Sequence, residues 1–178
     1  MSQAIPTPQD IQQKIRNIPD FPRPGIQFKD VTPILADPRL FPAAVDMIIQ
    51  HWPAGAVDVV VGIEARGFIF GAAAAVRLHA GFVPIRKKGK LPADTIEETY
   101  SLEYGVNTLA IHTDAIHPGQ RVLIVDDLLA TGGTAAAAAR LVERLGGKVV
   151  EIAFLIELKE LEGRRQIEKY PVHSVIQL

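Results

Sequence analysis

From about Leu40 onward, short apolar runs alternate with longer segments of helical periodicity. Residues 41–51 carry the spacing of a helix. Residues 57–63 (VDVVVGI) form a compact β-branched run, the pattern of a strand buried on both faces. Residues 67–79 (GFIFGAAAAVRLH) return to helical spacing. Residues 82–86, 108–112 and 121–126 read as further strands, and residues 133–145 as a helix. Gly146-Gly147 stands where a helix-ending glycine belongs. Residues 149–156 and 172–177 complete the series. Strand, helix and strand in repetition predict an α/β fold, a doubly wound mainly parallel sheet flanked by helices. Alanine-rich helices suit close packing on such a sheet. Ligands of these folds bind beyond the carboxyl ends of the strands.

Two stretches break the pattern. Residues 1–40 hold seven of the thirteen prolines. Within them, residues 8–15 read as a short helix, and residues 18–37 as an irregular, proline-stiffened cap. Residues 87–107 are polar, contain Gly89 and Pro92, and fit no element; a loop of that length predicts a functional lid. The expected organisation is one domain over 1–178, with an N-terminal hood (1–40) and a core (41–178) carrying a mobile lid at about 87–107.

Composition narrows the function classes. A chain of 178 residues can bury one real core. The net charge of −1 gives no electrostatic footprint for nucleic acid or an anionic membrane, so neither is an expected partner. No signal pattern and no apolar run long enough to span a bilayer are visible. The absence of cysteine excludes disulfides and thiolate metal sites and fits a cytoplasmic protein. The five histidines lack metal-ligand spacing. One local charge cluster stands out, Arg86-Lys87-Lys88-Gly89-Lys90.

The candidate chemistry lies at residues 122–134 (VLIVDDLLATGGT). An apolar strand ends in Asp126-Asp127, and Leu128-Leu129-Ala130 leads into Thr131-Gly132-Gly133-Thr134, where a helix starts. Glycines let the backbone approach a ligand, the helix N-terminus supplies N–H donors and positive dipole, and two threonines add hydroxyls. That makes a phosphate cradle. No lysine follows the glycines, so it is not a Walker loop, and the G-x-G-x-x-G fingerprint is absent. Two carboxylates beside a phosphate need donors, and ribose hydroxyls are donors. Phosphate and diol together describe a ribose 5-phosphate.

This segment resembles the phosphoribosyl pyrophosphate (PRPP) motif of type I phosphoribosyltransferases. The rest of the chain narrows the resemblance to the adenine phosphoribosyltransferases. Residues 20–30 (DFPRPGIQFKD) resemble their base-binding segment, Ala65-Arg66-Gly67-Phe68 their pyrophosphate loop, and residues 86–92 (RKKGKLP) and 100–105 (YSLEYG) their mobile segments. The resemblance covers most of residues 15–160.

It implies Mg²⁺-dependent transfer of phosphoribose from PRPP to adenine, giving AMP and pyrophosphate, by a homodimer. The metal is expected to bind mainly through substrate phosphates and water, with no assigned protein ligand. Asp126 and Asp127 would hold the ribose, and Ala130, Thr131, Gly132, Gly133 and Thr134 the 5-phosphate. Arg66, on a loop with a cis peptide, would bind pyrophosphate together with Lys87 and Lys90, while Arg86 would act at a subunit interface. Gln27, Phe28, Lys29 and Leu128 would bind adenine, the backbone near residues 27–29 reading its edge and Phe28 and Leu128 covering its faces. In 6-oxopurine transferases an aspartate two residues before the motif's glycine is the base. Ala130 stands there, so Glu103 becomes the expected base, with Tyr104 beside it in the lid. Two other readings stay open: a transferase for another base, and a PRPP-sensing regulator without catalysis. Ala130 and the N-terminal segment weigh against the first. The short N-terminus and the retained Arg66, basic run and Glu103 weigh against the second.

Overall fold

The computed structural model describes residues 5–102 and 105–178. The chain divides into two compact units, Met1–Met47 and Ile48–Leu178.

The first unit begins with α1 (Pro8–Lys14), set by a capping box. Thr7 Oγ1 accepts from the Asp10 N–H at 3.3 Å, and the Asp10 carboxylate accepts from the Thr7 N–H at 2.7 Å. The following segment, expected to be irregular, is instead an antiparallel hairpin of β1 (Arg16–Pro19) and β2 (Gln27–Asp30). Its prolines explain why it was illegible. Pro22 and Pro24 lie in the connection, and Pro19 closes β1, so none removes a donor from a strand interior. Strands of four residues are also too short to show alternation. Arg16 fastens the ladder by an ion pair to Asp30 at 2.7 Å. The short α2 (Thr32–Leu35) and then α3 (Leu40–Ile48) follow.

The second unit carries a seven-stranded sheet. Its strands are β3 (Val59–Ile63), β4 (Gly81–Lys87), β5 (Thr95–Leu102), β6 (Gly105–His112), β7 (Arg121–Leu129), β8 (Lys148–Glu157) and β9 (Val172–Gln177), in the order β5-β6-β4-β3-β7-β8-β9. Strands β4, β3, β7, β8 and β9 are parallel, and β6 runs antiparallel to β4 and β5. The fold is therefore the expected one, with an antiparallel edge. Helices α4 (Arg66–Leu78) and α5 (Gly133–Arg144) pack against it. Alanines 135–139 of α5 are all buried, and Val122, Ile124, Ile152 and Phe154 share their core. On α4, a Cβ at Gly67 would sit 2.8 Å from Asp126 Oδ1 and 2.9 Å from the Val125 carbonyl oxygen. Only glycine lets the start of α4 lie this close to β7.

From β3 the chain winds outward to β4, and from β7 it winds the other way through β8 to β9. The adjacent β3 and β7 thus form the topological switch point, where a crevice opens beyond their carboxyl ends.

Two details differ from the sequence expectation. The 87–107 segment contains β5, paired with β6 along its length. Its charges hid it. Glu98 of β5 is bonded by Arg140 at 2.6 Å and Arg144 at 3.2 Å from α5, so a polar strand lies on a helix through ion pairs. Strand β7 also continues three residues past Asp126, because Leu128 and Leu129 still pair with Ile156 and Glu157. Among the described residues no helix is long and apolar enough to cross a membrane.

Candidate active site

The crevice at the switch point is a cavity of about 250 Å³. Its walls come from the turn after β3 (Glu64, Ala65, Arg66), from Lys87 at the end of β4, and from Asp126, Asp127 and Thr134 after the apolar part of β7. Tyr100 and Asn107, cross-strand partners in the β5–β6 ladder, add a third wall.

On the β3 side the Glu64–Ala65 peptide is cis, as the resemblance implied. Helix α4 starts at Arg66 with no side chain capping its first turn, which leaves N–H donors and the positive end of the dipole for an anion. Arg66 Nε lies 2.9 Å from Asp127 Oδ2. Glu64, the other acid near Arg66 in sequence, is bonded by Arg86 Nε at 3.2 Å and Nη2 at 3.3 Å, and accepts the Lys87 N–H at 3.1 Å. The Arg86 guanidinium holds the Glu64 carboxyl below the usual carboxylate range. Arg86 also donates to the Lys90 carbonyl at 2.9 Å, so within one chain it braces the basic turn against the β3 loop.

On the β7 side, Leu128 to Gly132 wrap a smaller cavity of about 80 Å³, which Asp126 and Thr134 also line. Gly132 precedes α5 at φ 85°, a conformation that favours glycine. Its carbonyl accepts the Ala136 N–H at 2.9 Å, and no side chain caps this helix start either. Thr134 Oγ1 donates to the Tyr100 hydroxyl at 2.9 Å. Two uncapped helix N-termini, with a carboxylate pair between them, suit a molecule with anionic groups at both ends and hydroxyls in the middle.

Residues 31–177 match the family pattern described as the phosphoribosyl transferase domain. An adenine phosphoribosyltransferase from Chloroflexus aurantiacus is 56% identical over 96% of this chain and 99% of its own length. A solved adenine phosphoribosyltransferase from Rhodothermus marinus superposes with a TM-score of 0.92 at 55% identity, covering 96% of this chain and 98% of that one. The Saccharomyces cerevisiae enzyme, solved with adenine and an imino-altritol bisphosphate, gives 0.89 at 41% identity over 94% and 97%. This chain belongs to the adenine phosphoribosyltransferase family.

The residues expected from adenine phosphoribosyltransferases fall into several groups. Arg66, Lys87, Asp126, Asp127, Leu128 and Thr134 share the larger cavity; Ala130, Thr131 and Gly132 line the smaller one. Gly133 lines a neighbouring depression with Thr131 and Tyr100. Lys90 lies on the turn after β4 and is not among the residues lining the larger cavity. Gln27, Phe28 and Lys29 lie on β2 in the first unit, where Phe28 meets Phe21 edge-on at 5.1 Å and Lys29 Nζ donates to Asn17 at 2.7 Å. Glu103 and Tyr104 lie outside the described residues. Sequence reasoning missed Tyr100 and Asn107 as wall residues. Their signal was the unread β5–β6 pairing, which sets the two opposite each other.

The acid pair is electrostatically tense. Desolvation, and then the charge of Asp127, push the Asp126 carboxyl well above the usual carboxylate range. Desolvation also raises Asp127, while Arg66 pulls it back. A carboxyl raised in the folded state favours folding below its unfolded pKa and loses that contribution as pH rises through the folded value. At neutral pH Asp126 is therefore a stability cost. Asp126→Asn keeps an acceptor for the Asp127 N–H, bonded at 2.9 Å. It should raise Tm at neutral pH, and the gain should shrink as pH falls toward 3.8, the ordinary value. Thermal melts across that range check this; a gain independent of pH would reject the burial argument.

Proposed function

We propose that the chain transfers the 5-phosphoribosyl group of PRPP to adenine, forming AMP and releasing pyrophosphate. The observation that carries this reading is the single cavity joining the Arg66 turn, the Asp126–Asp127 pair and the Thr134 end of the glycine loop. Ala130, Thr131, Gly132, Gly133 and Thr134 cradle the 5-phosphate. Asp126 and Asp127 accept hydrogen bonds from the ribose hydroxyls. Arg66 and Lys87, with Lys90 close by, stabilise the charge that grows on pyrophosphate as its bond to C1 breaks. That bond breaks with oxocarbenium character, as glycosidic bonds do. The adenine imidazole nitrogen attacks C1, and its proton passes to Glu103, with Tyr104 beside it. Leu128 and the Gln27–Phe28–Lys29 strand bind the base, and the S. cerevisiae relative was solved with adenine.

Mg²⁺ belongs to this reading as an ion carried mainly by substrate phosphates and water, since among the described residues no group of three or more acidic or histidine side chains could hold a metal ion. When bound through substrate phosphates and water, the ion would neutralise pyrophosphate charge.

The reading includes a homodimer in the cytoplasm. Its support is an apolar stripe on α4, where Ile69, Ala72 and Val76 are exposed at helical spacing. Sedimentation of the purified protein should give twice the chain mass, and a monomer at micromolar concentration would reject the dimer.

The decisive assay supplies PRPP, Mg²⁺ and a panel of bases. Pyrophosphate should be released with adenine, not with hypoxanthine, guanine or xanthine, and chelation should stop it. Release with a 6-oxopurine instead of adenine, or PRPP binding without release, would replace this function.

A further inference from the structure

The glycine loop does not stand alone. The connection between β8 and β9 folds under it through two 3₁₀ turns, Lys159–Leu161 and Gly163–Ile167. Gly163 is buried. Its carbonyl oxygen occupies the space a Cβ of Gly132 would need, and the Ala130 carbonyl oxygen occupies the Cβ space of Gly163. The loop and the connection thus interlock backbone to backbone, at two glycines that are far apart in sequence.

The neighbour of Gly163 fixes this interlock. Arg164 grips Glu157, at the end of β8, with a two-pronged bond: Nε to Oε1 at 2.7 Å and Nη2 to Oε2 at 2.7 Å. Its Nη1 donates to the Val172 carbonyl at 3.1 Å, tying in β9. Glu157 is buried, and the Arg164 guanidinium holds its carboxyl below the usual range. Glu157 pairs in register with Leu129, the residue before Ala130, and the Leu158 N–H bonds the Leu129 carbonyl at 2.9 Å. Two routes therefore meet at Ala130: one along β7, and one through Glu157, Arg164 and Gly163. Ile167, buried in the main core, anchors the far end of the turn.

We propose that Arg164 is a positioning residue for the 5-phosphate. By clamping Glu157 it sets Gly163 against Ala130 and Gly132, and so aligns the loop's N–H donors before substrate arrives. This rests on reading residues 130–134 as the 5-phosphate cradle. The fork matters more than the charge, because a bidentate grip fixes orientation and a point charge does not.

The test is calorimetric titration of AMP, ribose 5-phosphate and pyrophosphate into the full-length protein, well below each variant's Tm. Arg164→Met should weaken AMP and ribose 5-phosphate about tenfold, equivalent to about 1.4 kcal/mol of lost preorganisation, and leave pyrophosphate binding unchanged. Arg164→Lys should recover only part of the loss. Glu157→Gln should weaken the same two ligands selectively. Gly163→Ala should do so most strongly if it folds, but the Arg164 variants decide without it. A lower Tm with unaltered AMP affinity overturns the proposal, as does equal weakening of pyrophosphate. Should the unmodified protein bind neither AMP nor ribose 5-phosphate, the cradle reading fails instead.

Discussion

Asp127→Asn should weaken PRPP binding about a hundredfold, the upper end for losing a hydrogen bond to a charged group. Asp127 is 4% exposed, and its carboxylate lies 2.9 Å from Arg66 Nε. The asparagine fits the same space but offers one acceptor where there were two, and it turns an N–H₂ toward a cation or a ribose hydroxyl. It also leaves Arg66 without its charge partner at the start of α4. Both losses bear on the ligand, since Arg66 is read as a pyrophosphate group and Asp127 as a ribose group. Titration of PRPP into the variant, with circular dichroism to confirm the fold, measures the effect. Unaltered affinity would remove Asp127 from the ribose site. Burial raises both carboxyls, so removing either charge relieves some desolvation, but at Asp127 the substitution also takes away the 2.9 Å ion pair with Arg66, and stability should gain less there than at Asp126.

The contrast between these neighbours bears on what a sequence makes legible. The strand, the acid pair and T-G-G-T could be read directly, because an apolar run followed by glycines at a helix start has few other uses. The sheet was legible for a similar reason: β3, residues 122–125 of β7 and residues 152–156 of β8 are fully buried apolar runs. What escaped was structure held by polar pairs. Strand β5 lies on α5 through Glu98 with Arg140 and Arg144, so its residues look like a solvated loop. The β1–β2 hairpin hid behind prolines that sit only at its turn and end. The partner choices of Arg66 and Arg86 were invisible as well. Glu64 stands two positions from Arg66, yet the fold pairs Arg66 with Asp127 and Glu64 with Arg86. Both pairings link elements distant in sequence, which only the sheet order brings side by side. The same holds for the interlock of Gly132 with Gly163.

Glu103→Gln should lower kcat by about a hundredfold or more while leaving PRPP affinity near normal, the range expected when a general base loses its proton acceptor. The argument begins with an absence inside the motif. Ala130 carries no carboxylate, Asp127 is paired with Arg66, and Asp126 is proposed to hold the ribose. Adenine must still lose its imidazole proton as the ring nitrogen attacks C1. In sequence Glu103 falls between Tyr100 and Asn107, and both of those line the cavity, on strands paired with each other. Glu103 itself lies outside the described residues, so its role as base rests on the family resemblance and on its sequence position between these two. Glutamine keeps the size and hydrogen-bonding capacity of glutamate but cannot take a proton, so binding should survive and chemistry should not. Product release can mask a chemical step, and single-turnover measurement of AMP formation avoids that. The acid limb of the unmodified enzyme's pH–rate profile should report a carboxylate, because the base must be ionised to accept the proton, and that limb should vanish in the variant. A single-turnover rate equal to that of the unmodified chain would take the role of base away from Glu103. With Ala130 unable to serve, the proton would then have to leave adenine through water.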